Sequence, residues 1–295
     1  KKATEAKLRI REFYSHIING VNLLYKGIED ANIEISVNVR SFFIFQAEAY
    51  FPHKESRVKL INGKTYIDLN KLMTDLASWD RDTGSKIPPV YDQAMLFTRH
   101  TLIQNRTVGS AGASYRGQVC TVGLRVQVVH TFDYFLTVNT AAHELGHSLG
   151  SWHDGEMDSV ACKAEDSFIM TPKYPKFSLT TRYNPNHWLF SNCSVESFKK
   201  TMKHKTCVTH KGVYSEGQLN EWRKFMMQLP GERYTPNEQC QISNGPQSTY
   251  CRSIPEMICT FMQCTDPQTG RCEDQYLSAA TGTKCGPNHW CQKGL

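Results

Sequence analysis

The chain has 295 residues, which is more than a single hydrophobic core usually organises, so a large domain with a smaller one is expected. Its 40% hydrophobic and 21% charged residues are ordinary for a globular protein and argue against a disordered or fibrous chain, and no apolar run is long enough to cross a membrane. The net charge of +6 is small and diffuse, which argues against nucleic-acid binding and favours only weak contact with anionic surfaces.

The first hundred or so residues alternate between helical and strand patterns. Apolar residues at spacings of three and four predict an amphipathic helix at the start of the chain: Ile10, Phe13, Ile17, Val21 and Leu24. A period of two over 32–40, extended by the apolar run 42–45, predicts a strand. The segment 68–79 predicts a second helix with a polar exit at 80–84, and 93–98 predicts a second strand. This alternation indicates an α/β core.

The middle of the chain predicts a loop, a strand and three helices. The Gly-, Ser- and Ala-rich stretch 109–117 predicts a loop, and 122–129 predicts a strand. Apolar residues then return to helical spacing from Phe135 to Leu149, which predicts a helix that ends at Gly150. Two more helices, from 194 through 202 and from 215 to 229, are expected to close the first domain.

The eleven cysteines are spread unevenly along the chain. Residues 1–239 hold four of them and residues 240–295 hold seven, a density typical of a disulfide scaffold. We therefore place a domain boundary between 1–230 and a cysteine-rich module at 231–295 with little regular structure. The scaffold indicates secretion, with which the N-glycosylation sequons at Asn105 and Asn192 agree. An odd number of cysteines leaves either a missing partner or a free thiol.

The segment His143-Glu144-Leu145-Gly146-His147 places two imidazoles four residues apart, on one face of the predicted helix, where both can bind one metal ion. Catalytic zinc takes three protein ligands and keeps a fourth position open, and His153 supplies the third ligand after a sharp turn at Gly150. Glu144 is placed to act as a general base rather than as a ligand. The pattern predicts amide hydrolysis by zinc-activated water. The alternative, a surface helix with two structural histidines, is disfavoured by Gly150 and His153 at fixed offsets.

The stretch HELGHSLGSWHD, residues 143–154, resembles the metzincin zinc-binding signature, and Asp154 after the third histidine is similar to the reprolysin or adamalysin branch, which includes the ADAM and ADAMTS proteins. The segment around Met170 resembles the Met-containing turn beneath the zinc, and 188–194 resembles the start of the last catalytic-domain helix. The tail resembles the disintegrin-like module of ADAMTS proteins, and the layout resembles the short secreted reprolysins of tick saliva.

This resemblance implies an α/β fold, in detail an α+β metzincin-type catalytic domain with a mixed sheet and an active-site helix, followed by the small disulfide-rich module. It implies one catalytic Zn²⁺ held by His143, His147 and His153, with Glu144 as the base. Met170, Gly150 and Asp154 would give structural support. It also implies the disulfides Cys120–Cys207 and Cys162–Cys193. Calcium (Ca²⁺) binding is left open.

The sequence departs from the family pattern in four respects. It starts at the first helix and stops where an eighth module cysteine is expected, so we expect a fragment that lacks an N-terminal strand, a propeptide, a signal peptide and the C-terminal end of the module. Its four catalytic-domain cysteines are fewer than in ADAMTS enzymes. It contains no Arg-Gly-Asp, so integrin binding is not expected.

The basic run Lys199 to Lys205, with His210 and Lys211 nearby, could contact a glycosaminoglycan or a cell surface, although a solvated helix face is the favoured reading. The other histidines have no ligand spacing and are expected to be structural or at the surface: His16, His53, His100, His130, His187, His204, His210 and His289. The leading hypothesis is a secreted, extracellular zinc endopeptidase acting on matrix proteins, fibrinogen or fibrin. The alternative is a binding protein or toxin that acts on a receptor or matrix site through its cysteine-rich module.

Overall fold

The computed structural model describes residues 2–45, 58–61, 63–83, 90–173, 183–209, 224–251 and 257–295. Within these ranges the helices are α1 (Lys2–Lys26), α2 (Leu69–Asp82), α3 (Tyr134–Ser148), α4 (Asn192–Met202), α5 (Pro230–Arg233) and α6 (Pro236–Asn244). The strands of the first domain are β1 (Val58–Ile61), β2 (Lys64–Asp68), β3 (Ala94–Thr98), β4 (Leu102–Gln104), β5 (Thr107–Ser110), β6 (Gly112–Ser114) and β7 (Val126–His130). Those of the tail are β8 (Tyr250–Cys251), β9 (Met262–Thr265), β10 (Cys272–Leu277), β11 (Lys284–Gly286) and β12 (His289–Trp290). None of the described helices is long and apolar enough to span a membrane.

The first domain contains two mixed sheets, which confirms the expected fold class. One sheet has the order β1-β2-β4-β5, in which only β2 and β4 run parallel. The other has the order β3-β7-β6, with β3 and β7 parallel and β6 antiparallel at the edge. The helix α3 packs against this second sheet. The chain enters α3 at Tyr134, directly after β7 ends at His130.

The helix α1 buries one face, as its apolar stripe predicts, and this face packs on α3. Ile17, Val21 and Leu24 are buried on that side of α1, whereas Ile10 is exposed. The Tyr25 hydroxyl donates to the Ala142 carbonyl oxygen at 2.9 Å, which joins α1 to the middle of α3.

Two of the predicted strands are wrong in position or kind. Residues 33–45 form no strand: Ile35 is buried, but the Val37 N–H donates to the Asn22 side chain at 2.9 Å instead of to a neighbouring strand. Alternation reports which side chains are buried, and a ladder also needs a partner. The strand predicted at 122–129 starts only at Val126, after a turn.

The loop predicted at 109–117 is also wrong, since it contains the end of β5 and all of β6. The predicted helix at 68–79 is confirmed as α2 and extends further, to Asp82. Asp68 caps it by accepting from the Lys71 N–H at 3.2 Å. Asp80, expected in a polar exit, is fully buried. Most of the helix predicted at 215–229 lies outside the described residues.

The tail is a disulfide-held module with short elements. Its bonds are Cys240–Cys264, Cys251–Cys272 and Cys259–Cys291, and Cys285 is free. The two first-domain disulfides implied by the family resemblance, Cys120–Cys207 and Cys162–Cys193, are confirmed.

The module docks against α1 through its first residues. The Arg233 guanidinium donates to both Glu12 carboxylate oxygens, at 2.7 and 3.1 Å, and the Tyr234 ring meets Phe13 edge-on. The same ring contacts His16, which is fully buried. The module therefore covers one face of the first domain.

Candidate metal centre

The helix α3 and the turn that ends it set the positions of the predicted metal ligands. Asp133 caps the start of α3 by accepting from the Leu136 N–H at 2.8 Å. At the other end the Gly150 N–H donates to the His147 carbonyl oxygen at 2.8 Å, and Gly150 has a φ of 102°. A Cβ there would lie 2.0 Å from Thr201 Oγ1, so both backbone conformation and α4 require glycine. This turn brings the chain back to His153.

The structure brings His143, His147 and His153 together, as the sequence predicts. One ring nitrogen of each lies within 4.8 Å of the others, and the Nε2 atoms of His147 and His153 are 3.2 Å apart. The ring centroids are separated by 4.7 to 5.2 Å. The three imidazoles therefore converge on one point.

The second nitrogen of each imidazole bonds to an oxygen atom. Nδ1 of His143 lies 2.7 Å from the Ile169 carbonyl oxygen, and Nδ1 of His147 lies 2.8 Å from that of Ser151. Nδ1 of His153 lies 3.1 Å from Glu156 Oε2. Because carbonyl oxygens only accept hydrogen bonds, Nδ1 carries the hydrogen in His143 and His147, and Nε2 keeps its lone pair.

Such a donor set fits a divalent cation. Lone pairs facing one another at 3.2 Å repel unless a proton or a cation lies between them. Burial lowers the pKa of His143 well below its ordinary value and lowers the pKa of His147 to about 4, so these two imidazoles are neutral at neutral pH. Three neutral imidazoles, each oriented by an outer partner, are the ligands that catalytic zinc takes.

Glu144, which follows His143 in α3, is buried, and the edge strand β6 covers it. Ser114 Oγ lies 2.6 Å from the Glu144 backbone oxygen and 3.2 Å from Oε2 of its carboxylate. A Cβ at Gly112 would lie 2.9 Å from Glu144 Cγ, so the strand can pass this close only as glycine. Burial raises the pKa of Glu144 to about 8, and the Ser114 hydrogen bond acts in the opposite direction.

Met170 and Asp154, the two remaining residues of the predicted site, are both buried. Met170 is fully buried beneath α3, and a Cβ at Gly146 would lie 2.5 Å from its sulfur. Asp154 is also buried, and its Oδ1 accepts from Ser191 Oγ at 2.6 Å, which links the loop of the third ligand to the start of α4. Burial raises the pKa of Asp154.

Sequence reasoning missed the partners that orient the ligands. Ser114 bonds to the Glu144 carboxylate, and Glu156 bonds to the His153 ring. The carbonyl oxygens of Ile169 and Ser151 bond to the rings of His143 and His147. A backbone carbonyl leaves no signal in the sequence. Glu156 follows His153 by three residues, but that spacing has meaning only once the turn is known.

Other sites in the described part of the chain do not compete. The groups Cys259, Cys285, Cys291 and Asp92, Cys120, Cys207 also bring candidate ligand atoms together, but each contains a disulfide whose sulfurs are already bonded. A mainly apolar cavity of about 1660 Å³ lies between α1, residues 34–45 and β3, and none of the three histidines lines it.

The basic run at Lys199 is partly used by the fold. The Lys199 ammonium lies 2.5 Å from Asp30 Oδ2 and 2.8 Å from Glu196 Oε1. The Lys205 ammonium donates to Thr121 Oγ1 at 3.0 Å. His210 and Lys211 lie outside the described residues.

Comparison with known proteins gives two matches along the chain. Residues 1–211 match the sequence model of the Reprolysin (M12B) family zinc metalloprotease, and residues 230–295 match that of the ADAMTS cysteine-rich domain 2. The chain is 27% identical over 308 residues to "A disintegrin and metalloproteinase with thrombospondin motifs like" of Bombyx mori, covering 97% of this chain and 41% of the relative.

Two further relatives are vertebrate proteins. Identity is 30% over 253 residues to "A disintegrin and metalloproteinase with thrombospondin motifs 20" of Homo sapiens, covering 82% of this chain and 12% of the relative. It is 30% over 227 residues to "A disintegrin and metalloproteinase with thrombospondin motifs 7" of Rattus norvegicus, covering 75% and 13%. The chain thus spans less than half the length of each of these three relatives.

Proposed function

The chain belongs to the reprolysin (M12B) family of zinc metalloproteases, and we propose that the protein is a secreted zinc endopeptidase that cleaves extracellular proteins. His143, His147 and His153 are the proposed zinc ligands, and Glu144 is the proposed general base. The observation that carries the proposal is the convergence of the three imidazoles, with a buried carboxylate on the residue that follows the first of them. Met170, Gly150 and Asp154 are the proposed structural supports of the site.

A bound zinc ion would supply Lewis-acid chemistry at the peptide carbonyl and at the attacking water. Glu144 would take a proton from that water and pass it to the leaving amine, because a cation beside the carboxylate lowers the pKa that burial raises. Ser114 holds the Glu144 carboxylate on the side of β6, while Gly112 keeps the path beside it free of side-chain atoms. The proposed base, which follows His143 in the chain, is therefore held in place by β6.

The strand β6 supports an extended polypeptide as the substrate. It is the edge of its sheet among the described strands, and it runs directly past Glu144. An extended chain can add to such an edge by backbone hydrogen bonds, which recognise peptides whatever their side chains. This placement favours hydrolysis of a peptide bond over hydrolysis of a small-molecule amide.

Two variants of the site test this function. Glu144→Ala should keep zinc and fold but lose about 100-fold or more in turnover of a reporter peptide, because the carboxylate moves protons and is not a ligand. His147→Ala should lose both zinc and activity, because it removes one of three protein ligands. Native-rate cleavage by Glu144→Ala, or stoichiometric zinc in His147→Ala, would contradict the assignment.

The cysteine-rich module is the proposed exosite for matrix proteins, fibrinogen or fibrin. Trp290 in β12 is 52% exposed, and His289 beside it is exposed as well. Removing residues 231–295 would also uncover α1, so a point change is the sharper test. Trp290→Ser should slow cleavage of fibrinogen while a short peptide is cleaved at the native rate. If Trp290→Ser cleaves both substrates at the native rate, this surface has no role in cleavage.

The alternative, a binding protein or toxin that acts through the module, predicts that Glu144→Ala keeps the full biological effect. Glycosaminoglycan contact is proposed only for the exposed part of the basic run: Lys200, Lys203 and His204. The division into 1–230 and 231–295 is likewise proposed, and limited proteolysis that cuts between them with both fragments intact would support it.

A further inference from the structure

The last turn of the cysteine-rich module presses directly on the first domain. Gly294 is buried there with a φ of 76°, and a Cβ on it would lie 2.3 Å from Cη2 of the Trp188 indole. The Tyr183 hydroxyl donates to the neighbouring Lys293 carbonyl oxygen at 2.7 Å. The contact leaves no room for even one methyl group.

The module holds this turn firmly. Cys291, three residues before Gly294, is bonded to Cys259. The Thr260 hydroxyl, next to Cys259, donates to the Gly294 carbonyl oxygen. The disulfide and this hydrogen bond both tie the turn to residues 259–260 of the module, so the turn cannot easily move away from the indole.

Trp188 is equally confined on the side of the first domain. Its side chain is buried, with its ring 5.0 Å from that of Phe135 in the first turn of α3. The preceding carbonyl, that of His187, accepts from the Asn139 side chain at 2.8 Å. An indole pushed from the module side has to move its own backbone, because α3 blocks it from behind.

That backbone leads in two hydrogen bonds to the metal site. The Ile169 N–H donates to the carbonyl oxygen of Leu189, the residue after Trp188, at 2.9 Å. The carbonyl oxygen of Ile169 in turn accepts from Nδ1 of His143 at 2.7 Å. The partner that orients the first ligand is therefore attached to the segment on which the module presses.

We propose that Gly294 and Trp188 form a clamp through which the cysteine-rich module positions His143 for zinc. Both are positioning residues, since neither touches the metal site itself. The module then has a role in the metal site that is separate from binding large substrates. The zinc part of this inference rests only on the three-histidine site, and its activity part rests on the proposed function.

The test compares two glycines with the same backbone strain. Gly294→Ala places a methyl group into the indole, while Gly270→Ala, at a φ of 68°, has nothing within 4 Å of the new atom. Zinc affinity is measured by competition with a chelator, and kcat and KM on a short peptide. Gly294→Ala should bind zinc about tenfold more weakly and lose kcat with little change in KM, as outer partners of zinc ligands do. Gly270→Ala should match the wild type.

Two further variants keep the proposal falsifiable if Gly294→Ala folds poorly. Adding Trp188→Phe to Gly294→Ala makes space for the methyl group and should restore zinc affinity. Tyr183→Phe removes only the hydrogen bond to Lys293 and should weaken zinc binding in the same direction by a smaller factor. Native zinc affinity in both Gly294→Ala and Tyr183→Phe overturns the clamp, as does an equal loss in Gly270→Ala. A wild-type protein that binds zinc but cleaves no peptide refutes the proposed function, while the zinc measurements still decide the clamp.

Discussion

Replacing Asp80 should destabilise the first domain more than a surface aspartate could. Asp80 is fully buried at the end of α2, where its carboxylate accepts from the Tyr91 hydroxyl at 2.5 Å and from the Gly123 N–H at 2.6 Å. The Arg125 guanidinium, itself only 5% exposed, donates to both carboxylate oxygens at 3.3 and 3.4 Å. This network fixes the entry into β7, the strand that leads to the metal-binding helix.

The magnitude follows from what Asp80→Ala leaves behind. The change strands a buried guanidinium charge and also removes the acceptor of Tyr91 and Gly123. Breaking a buried ion pair by removing one partner costs about 3–5 kcal/mol. At roughly 2–4 °C for each kcal/mol in a domain of this size, the melting temperature should fall by about 6–20 °C.

Asp82 supplies the matched control two residues away. It is 70% exposed and lies 3.8 Å from an exposed Arg81, so Asp82→Ala should change the free energy of unfolding by no more than about 0.5 kcal/mol. Both variants are melted with disulfides intact and zinc in excess. A fall of less than about 1 kcal/mol for Asp80→Ala would refute the account of this network, because no buried charge would then have been left unpaired.

Three further predictions follow from single contacts. Gly146→Ala should lower the melting temperature and weaken zinc binding, because its methyl group meets the Met170 sulfur at 2.5 Å; unchanged values in calorimetry and chelator competition would contradict this. Burial lowers the pKa of His16, so this side chain stays neutral in the folded protein. The protein therefore loses stability as the pH falls below about 6.5, the ordinary pKa of histidine, because the unfolded chain then binds a proton that the folded one does not. His16→Phe should therefore lose less stability than the wild type between neutral and acid pH in thermal melts; equal slopes would count against it. Expression in a secreting host should give a glycosidase-sensitive mass shift that Asn105→Gln and Asn192→Gln together abolish, since Asn105 at the β4–β5 turn and Asn192 at the start of α4 are both exposed.

Helices with a wide apolar stripe were predictable because the stripe alone determines which face is buried. The period of α1 predicts that Ile17 and Val21 are buried, and the structure confirms it. The segment 33–45 shows the limit of this reasoning. Its alternation correctly marks Ile35 as buried, but hydrogen bonding between strands depends on a partner that the local sequence does not specify.

The composition of 109–117 predicts a loop, but the structure has strand residues there. Gly112 looks like a loop residue, yet it lies within β6. The residue there is glycine because a side chain would strike Val128 and Glu144. Glycine inside a strand often marks a close approach of two groups. The sequence shows the glycine but not its neighbour, so the wrong interpretation was the simpler one.

The metal site divides along the same line. His143, His147 and His153 are predictable because a helix and one turn fix their spacing, and their side chains are the ligands. What orients them is mostly backbone, namely the carbonyl oxygens of Ile169 and Ser151. The Ile169 carbonyl comes from a turn 26 residues along the chain from His143, whereas that of Ser151 belongs to the turn directly after α3, and only the folded backbone brings both to the rings.

His153 differs from the other two ligands, and this difference gives a final prediction. Its Nδ1 bonds to the carboxylate of Glu156, and the two side chains are 31% and 49% exposed. A carboxylate makes its imidazole partner a stronger ligand, but water can replace an exposed partner. Glu156→Ala should therefore weaken zinc binding by less than about tenfold.

The control for this variant is Glu165→Ala, which removes the same charge from another exposed position. If zinc affinity falls equally in both variants, the general negative charge of the region matters and the hydrogen bond to His153 does not. If Glu156→Ala instead loses zinc completely, this ligand depends on its carboxylate as strongly as a buried one would. A small loss confined to Glu156→Ala would mean that the two imidazoles held by backbone carbonyls carry most of the preorganisation, because the third can be reoriented by water at little cost.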